Sequence, residues 1–325
     1  MNTPQPPKNA EEFLQYYQLR WQILRKPCQQ ADGSEQDELE QQSIHRVILD
    51  KHGKAQAVGR LEQYGDQQGE IRYIAVCQSV QGQGLGRKVV TELESQARKL
   101  GMITIVLNAG KNSLGFYQAL GYQEHSVQPD KSSEPLFNEV IYYRMTKTLS
   151  PHPQHKKIPA QKLQNIWHET IPMSKAMGLQ ISYYDGKQLI THCDAKFNKN
   201  LHNTMFAGSI YTLATLTGWG WVYLALKEYE DGLSGDIVLA EANIRYHSPI
   251  KGLAYGQVVA TDMSGSFDNL ACGKNARIKL AVHIYCGDKI AATFTGSYFV
   301  LPKKNQEKLS SKLKHSPSTL IKAPS

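Results

Sequence analysis

Two stretches of this 325-residue chain combine residue types that can do chemistry. In the first, a strand-like run at residues 71–76 leads into Gln81-Gly82-Gln83-Gly84-Leu85-Gly86 and then into a helical pattern. Glycines let backbone N–H groups come close to a pyrophosphate, and a helix start adds partial positive charge. A glycine-rich turn that only caps a helix would show the same residues. In the second stretch, residues 195–220 read AKFNKNLHNTMFAGSIYTLATLTGWG, an Asn- and Thr-bearing loop that feeds a long apolar segment. From Phe197 to Leu226 there is no carboxylate. What remains there is a set of amide and hydroxyl groups at a helix start, where one donor to a developing oxyanion can contribute ~3 to 4 kcal/mol to a transition state.

Other reactive residue types are scattered. His202 and His247 are lone histidines in a loop and at a strand end, positions that are more often structural, and Arg245 reads as a surface strand charge. Trp219, Trp221 and Tyr223 fit core packing of the apolar helix. The five cysteines (Cys28, Cys77, Cys193, Cys272, Cys286) are odd in number, widely spaced and without a CxxC pair. That pattern indicates neither a disulfide framework nor a thiolate zinc site, and they read as small reduced core residues.

The elements that must position these groups follow from periodicity and turn signals. Residues 11–27 have helical spacing, with Phe13, Tyr17, Trp21 and Leu24 on one face. Strand-like runs occur at 45–50, 55–63, 70–76, 104–108 and 140–145, a helix at 86–100 and a short helix at 113–120. This mixed order indicates an α+β domain. A seam at 151–160, rich in Pro, His and Lys, places a boundary near residue 150. Beyond it come helical segments broken at Pro172, a hairpin at Asp185-Gly186-Lys187, and a helix at 207–229 that is apolar on nearly all sides and must be wrapped. Four strands follow at 235–247, 253–263, 275–286 and 289–301, an order that fits a curved sheet around its helix.

Residues 10–147 resemble the GNAT superfamily of acyl-CoA-dependent N-acetyltransferases. The resemblance rests on the [RQ]xxGxG/A pattern at residues 81–86 and on Asn108, Asn112 and the run from Phe116 to Tyr122 at the expected distance. It implies acetyl-CoA or another acyl-CoA as ligand, held at Val76, Gln81, Gly82, Gly84, Gly86, Arg87 and Asn112, with Tyr117 as the acid that protonates the departing thiolate. Glu62 and Glu70 lie near the right strands for a base, without either being assigned.

Residues 160–301 resemble the hotdog-fold thioester enzymes, whose NxNxxGTxFGGS loop delivers the chain into a central helix. Asn198, Asn200, Thr204, Phe206, Gly208 and Ser209 match, while Asn203 and Ala207 stand where glycine is usual. The nearest group is the thioesterase family found fused behind GNAT domains and now associated with malonyl-ACP decarboxylation. Hydrolysing a thioester needs a general base or nucleophile, which hotdog hydrolases place in the loop or two turns into the helix. Here those positions are Asn198, Asn200 and Thr215. Decarboxylation needs an oxyanion site and no activated water, so the resemblance together with the missing acid implies a malonyl-ACP decarboxylase of early fatty acid biosynthesis. Asn200 and Thr204 are then the catalytic candidates, and Asn198, Ala207, Gly208 and Ser209 the substrate-binding ones. The resemblance further implies a homodimer, acyl carrier protein as partner, and no required cofactor or metal. Three alternatives stay open: an acyl-CoA or acyl-ACP thioesterase, an N-acetyltransferase with the hotdog half as an oligomerisation platform, and a non-catalytic thioester sensor.

Composition agrees with two folded domains, since 325 residues exceed one ordinary core and 41% are hydrophobic against 20% charged. No run of ~18 apolar residues signals a membrane span, and the polar start carries no leader-like segment, so a cytoplasmic protein is expected. The net charge of +8 lies entirely in the second half: residues 1–150 hold 17 basic and 17 acidic residues, residues 151–325 hold 20 and 12. From Pro302 onward six lysines face one glutamate in a tail that reads as disordered. The remaining bias suits an acidic carrier protein and is too weak for nucleic acid.

Overall fold

A computed structural model of the chain describes residues 3–125, 142–229 and 233–303. Of the tail expected over 302–325, Pro302 is the last residue of a strand and residues 304–325 lie outside the described residues, as do Val140 and Ile141 of the expected strand. The chain forms α1 (Ala10–Arg20), β1 (Ile44–Leu49), β2 (Ala55–Gly65), β3 (Gln68–Val76), α2 (Leu85–Lys99), β4 (Thr104–Gly110), α3 (Leu114–Gln118), β5 (Gln123–Glu124) and β6 (Tyr142–Thr148). The first sheet has the order β1-β2-β3-β4-β6-β5. Alternation along its strands sends Val47, Val58 and Ala75 to a small core under α1 and Ile48, Ala57 and Ile71 to a larger core under α2.

The expected face of α1 is rotated. Tyr16, Leu19 and Arg20 are its buried residues, whereas Phe13, Tyr17, Trp21 and Leu24 are only partly covered. Arg20 is completely enclosed, pairs with Glu40 at 2.9 Å and lies over the Tyr73 ring at 3.8 Å. An apolar pattern cannot register a buried arginine, and a π-helical turn at Trp21–Arg25 then shifts the helical phase at that point.

The second half begins with α4 (Lys157–Thr170) and α5 (Pro172–Ala176), followed by β7 (Gln180–Tyr184) and β8 (Gln188–Asp194) around the expected Asp-Gly turn. Then come α6 (Ala207–Glu228), β9 (Gly235–Tyr246), β10 (Leu253–Val259), β11 (Met263–Ser264), α7 (Asp268–Ala271), β12 (Ala276–Cys286) and β13 (Lys289–Pro302). The antiparallel order β7-β8-β10-β12-β13-β9 wraps α6, whose Leu213, Ala214, Thr217 and Val222 are fully enclosed. Trp167 of α4 closes the open side against Gly220, where a Cβ would meet its ring at 2.5 Å. The expected strand at 253–263 stops at Val259, and the turn expected at 264–273 contains the short helix α7. Cys193 and Cys286 are buried as expected, but Cys272 is exposed and Cys28 and Cys77 are partly so. Among the described residues no helix is long and apolar enough to cross a membrane, and no group of three or more His, Cys, Asp or Glu could hold a metal ion.

The two sheets are joined by a polar clasp and an apolar seam. Asp288, in the turn between β12 and β13, accepts from the His45 backbone N–H at 2.6 Å and from Arg46 at 3.0 Å. Tyr183, Ile190 and Tyr255 of the second half pack into the core under α2. His192 borders this seam: its Cε1 would lie 3.4 Å from a Cβ at Gly101, and its Nδ1 is closed to solvent without a hydrogen-bond partner among the described residues. Burial pushes its pKa down to about 4, outweighing the attraction of Asp66 and Asp194.

Two outcomes are expected. Asp288→Ala leaves the covered His45 N–H without its acceptor, while Arg46 keeps the His45 carbonyl and Glu92; it should cost about 1–3 kcal/mol and split the calorimetric unfolding into separate transitions for the two halves. The His192 imidazole binds a proton more readily unfolded, near pH 6.5, than folded, near 4. Its contribution to stability is therefore complete above about pH 6.5 and is lost as pH falls towards 4. The Tm should drop over that window, and His192→Gln should flatten the drop.

Candidate functional site

In the first half, β3 and β4 run parallel only where Gln68–Glu70 meet Thr104–Val106, and then part into a wedge. One side of the wedge ends at Val76 and the glycine loop. Gly82 and Gly84 both have φ of +77°, and nothing lies within 4 Å of where their Cβ atoms would be, so glycine is needed there for backbone conformation. Gly84 caps α2 with no side-chain hydrogen bond, which leaves first-turn N–H groups directed outward. Gly86 has a different reason: a Cβ there would press on Val76 and Phe116 at 3.3 and 3.4 Å. Gln81 braces the loop through the Val76 carbonyl at 3.2 Å, and Arg87 is exposed beside it.

On the other side stand Asn112, exposed in a 3-10 turn, and Tyr117, which is 8% exposed. The Tyr117 hydroxyl makes no hydrogen bond among the described residues, and burial raises its pKa so that it keeps its proton. Glu62 and Glu70 are both taken: Glu62 pairs with Arg60 and Arg72, and Glu70 with Arg144. Burial raises the pKa of Glu62 against the pull of these arginines. Around them lies an ionic cluster in which Arg60 also bonds Asp37 at 2.7 Å and Glu40 at 2.5 Å. Residue order along the chain gave no sign of this cluster, because its members come from four separate segments.

In the second half, residues 195–206 form a tight loop in front of α6. Asn198 is 6% exposed and its amide donates to the Met177 and Asp194 carbonyls at 2.9 and 2.8 Å. It is therefore an anchor of the loop, a correction to its expected place among the substrate-binding side chains. Asn200 accepts through Oδ1 from the His202 N–H at 2.8 Å and from the Thr204 N–H and hydroxyl at 3.3 Å. This turns its Nδ2 donors away from the loop, and they have no partner among the described residues. Asn203, at a usual glycine position, has φ of +56°, a left-handed conformation that asparagine tolerates.

The loop ends at Phe206, which caps α6 with no side-chain hydrogen bond. The N–H groups of Ala207, Gly208 and Ser209 thus lack an acceptor among the described residues and point out of the helix start. Two turns in, the Thr215 hydroxyl is closed to solvent and has no partner among the described residues. Asn200, Thr204, Ala207, Gly208 and Ser209 are brought together at one helix end, and Tyr117 with the glycine loop belongs to the other half. His247 bonds Thr293 at 3.0 Å, a strand-end role, and Trp219 bonds the Ile237 carbonyl. Sequence reasoning missed the apolar rim of this site: Leu201 is 98%, Phe197 68% and Phe206 56% exposed.

The fold and the two helix-start sites define a fusion of an acyltransferase domain with a thioester-processing domain. The chain belongs to the family "Acetyltransferase (GNAT) family" through residues 10–122, and its second domain is a hotdog domain matched over residues 160–302 by the family "Putative thioesterase (yiiD_Cterm)". Both are enzyme families. The "Uncharacterized N-acetyltransferase YjcF" of Bacillus subtilis is 30% identical over 116 residues, 36% of this chain and 81% of that protein. Among solved structures, the "putative thioesterase from Shewanella oneidensis" is 38% identical over 45% of this chain and 99% of its own, with a TM-score of 0.42. A protein of unknown function from Chlorobaculum tepidum is 29% identical over 46% of this chain and 98% of its own, with a TM-score of 0.41.

The two asparagines should separate by unfolding energy. Asn198→Ala strips two covered carbonyls of their donor and should cost about 1–3 kcal/mol in denaturant titrations. Asn200→Ala, partly exposed, should cost clearly less; equal losses would make Asn200 a structural anchor as well.

Proposed function

We propose that the hotdog domain decarboxylates malonyl-ACP to acetyl-ACP, a primer for fatty acid biosynthesis, and that the GNAT domain, residues 1–150, binds an acyl-CoA or carrier-borne pantetheine. The observation that carries this reading is the helix start with three outward N–H groups, the Asn200 amide in the loop that leads into it, and no carboxylate within the loop or the first turns of α6. The malonyl thioester would lie with its carbonyl oxygen toward these donors. When the bond between the α-carbon and the carboxylate breaks, CO2 leaves, and its electron pair forms an enolate whose oxygen the donors stabilise. A proton then returns to the α-carbon, with Thr204 as its relay.

An acid in this place would repel the malonyl carboxylate, and a hydrolase would need one. At the helix position two turns in stands Thr215, which cannot act as a general base in its hydroxyl form. Binding without transfer in the GNAT domain is supported by the engagement of Glu62 and Glu70 with arginines, which leaves neither of these carboxylates free to serve an acceptor. The exposed Phe197, Leu201 and Phe206 next to the edge strand β9, with Val238 and Tyr246 each 47% exposed, suit a second copy of the chain, so the working form would be a cytoplasmic homodimer.

Full-length protein incubated with malonyl-ACP should release CO2 and leave acetyl-ACP, with no metal or cofactor added. Asn200→Ala should lower the rate about 100-fold or more with the fold retained. Free malonate and carrier thiol as products would instead establish the thioesterase reading.

A further inference from the structure

The far end of α6 carries a second concavity, unrelated to the loop at its start. It has a volume of about 360 Å³ and is walled by Tyr184, Trp221, Ala225, Tyr229, Met263 and Phe267. Trp221 lies 15 residues beyond the helix cap at Phe206, which is about 22 Å along the axis. The volume falls within the range of small-molecule sites.

Two features set this pocket apart from a packing defect. The Trp221 side chain is 3% exposed and Tyr184 0%, and both line the pocket. The Trp221 indole N–H has no hydrogen-bond partner among the described residues, whereas the Tyr184 hydroxyl is turned to the Glu228 carboxylate. A covered donor left without an acceptor carries a large penalty, so the indole on this wall calls for an acceptor from outside the chain. The indole is a donor only, and burial together with nearby Glu228 keeps the phenol protonated. At the mouth, Glu228 already engages the Lys156 ammonium at 2.8 Å, so that cation is not free to receive an acid.

We propose that this pocket binds an uncharged acyl compound, its chain against the aromatic wall and its carbonyl oxygen accepting from the Trp221 indole N–H. The chemistry is that of an ester or thioester carbonyl, and a free carboxylate is disfavoured by Glu228. The site is separate from the helix start and does not depend on the activity assigned there.

Methyl octanoate is a suitable probe. The chain has four tryptophans, so the indole N–H resonances of full-length, 15N-Trp-labelled protein give four peaks, and Trp221→Phe identifies the one concerned. Titration should move that peak downfield in a saturable way, and n-octane, which has no acceptor, should not. Ala225→Leu fills the pocket without altering the indole donor and should abolish the shift. A peak that stays in place up to the solubility limit would mean that water alone satisfies the indole N–H, and the proposal would fall. It would fall equally if octane produced the same shift, or if Ala225→Leu bound the ester unchanged.

Discussion

The enclosure of α6 is the constraint on which the second domain depends. A helix of 22 residues with apolar side chains on every side cannot rest on a flat surface, so the sheet has to curve around it and α4 has to close the gap with Trp167. Once the helix is fixed in this way, its two ends are where its backbone can meet a ligand. The start presents N–H groups without intrahelical acceptors, and the far end presents a pocket with aromatic walls. Small residues along its length, such as Gly218 against Tyr298 and Gly220 against Trp167, bring the strands and α4 close enough for the wrapping to be dense.

The loop in front of α6 is held from several directions at once. Asn198 ties it to the Met177 and Asp194 carbonyls, Met205 to Ile250 and Ala195 to Gly252. The segment carrying Ile250 and Gly252 is in turn adjacent to Gln42 of the first domain, whose amide oxygen would lie 2.5 Å from a Cβ at Gly252. Gln42 stands two residues after Glu40, the acceptor shared by Arg20 and Arg60 in the ionic cluster. The first domain's charged interior and the second domain's site loop thus share a continuous packed boundary, closed by the Asp288 clasp.

Much of this was legible from residue order because its physics is local. A Gly-rich turn between a strand and a helix, a Pro172 break, an Asp-Gly hairpin and a long all-apolar helix each depend on a few neighbouring residues, and all appear where expected. Most strands were placed to within a few residues, but the two-residue strands β5 (Gln123–Glu124) and β11 (Met263–Ser264) were not expected, and β10 ends early at Val259. The face of α1 was not legible, because its deepest side chain is an arginine neutralised by Glu40, a residue 20 positions away. Asn198 and Asn200 look equivalent in sequence, yet one spends its amide on backbone carbonyls and the other keeps it free.

By itself, then, the sequence determined the two domain types, the glycines of the turn before α2 and the absence of any carboxylate from Phe197 to Leu226, since these are matters of residue type and short-range spacing. Tertiary structure alone decided which asparagine offers a donor, that Glu62 and Glu70 are occupied, that the domains are clasped through Asp288, and that Tyr184 and Trp221 face one pocket. Each of those facts joins residues distant along the chain, and hydrogen-bond partnership and burial exist only once the packing has brought them together.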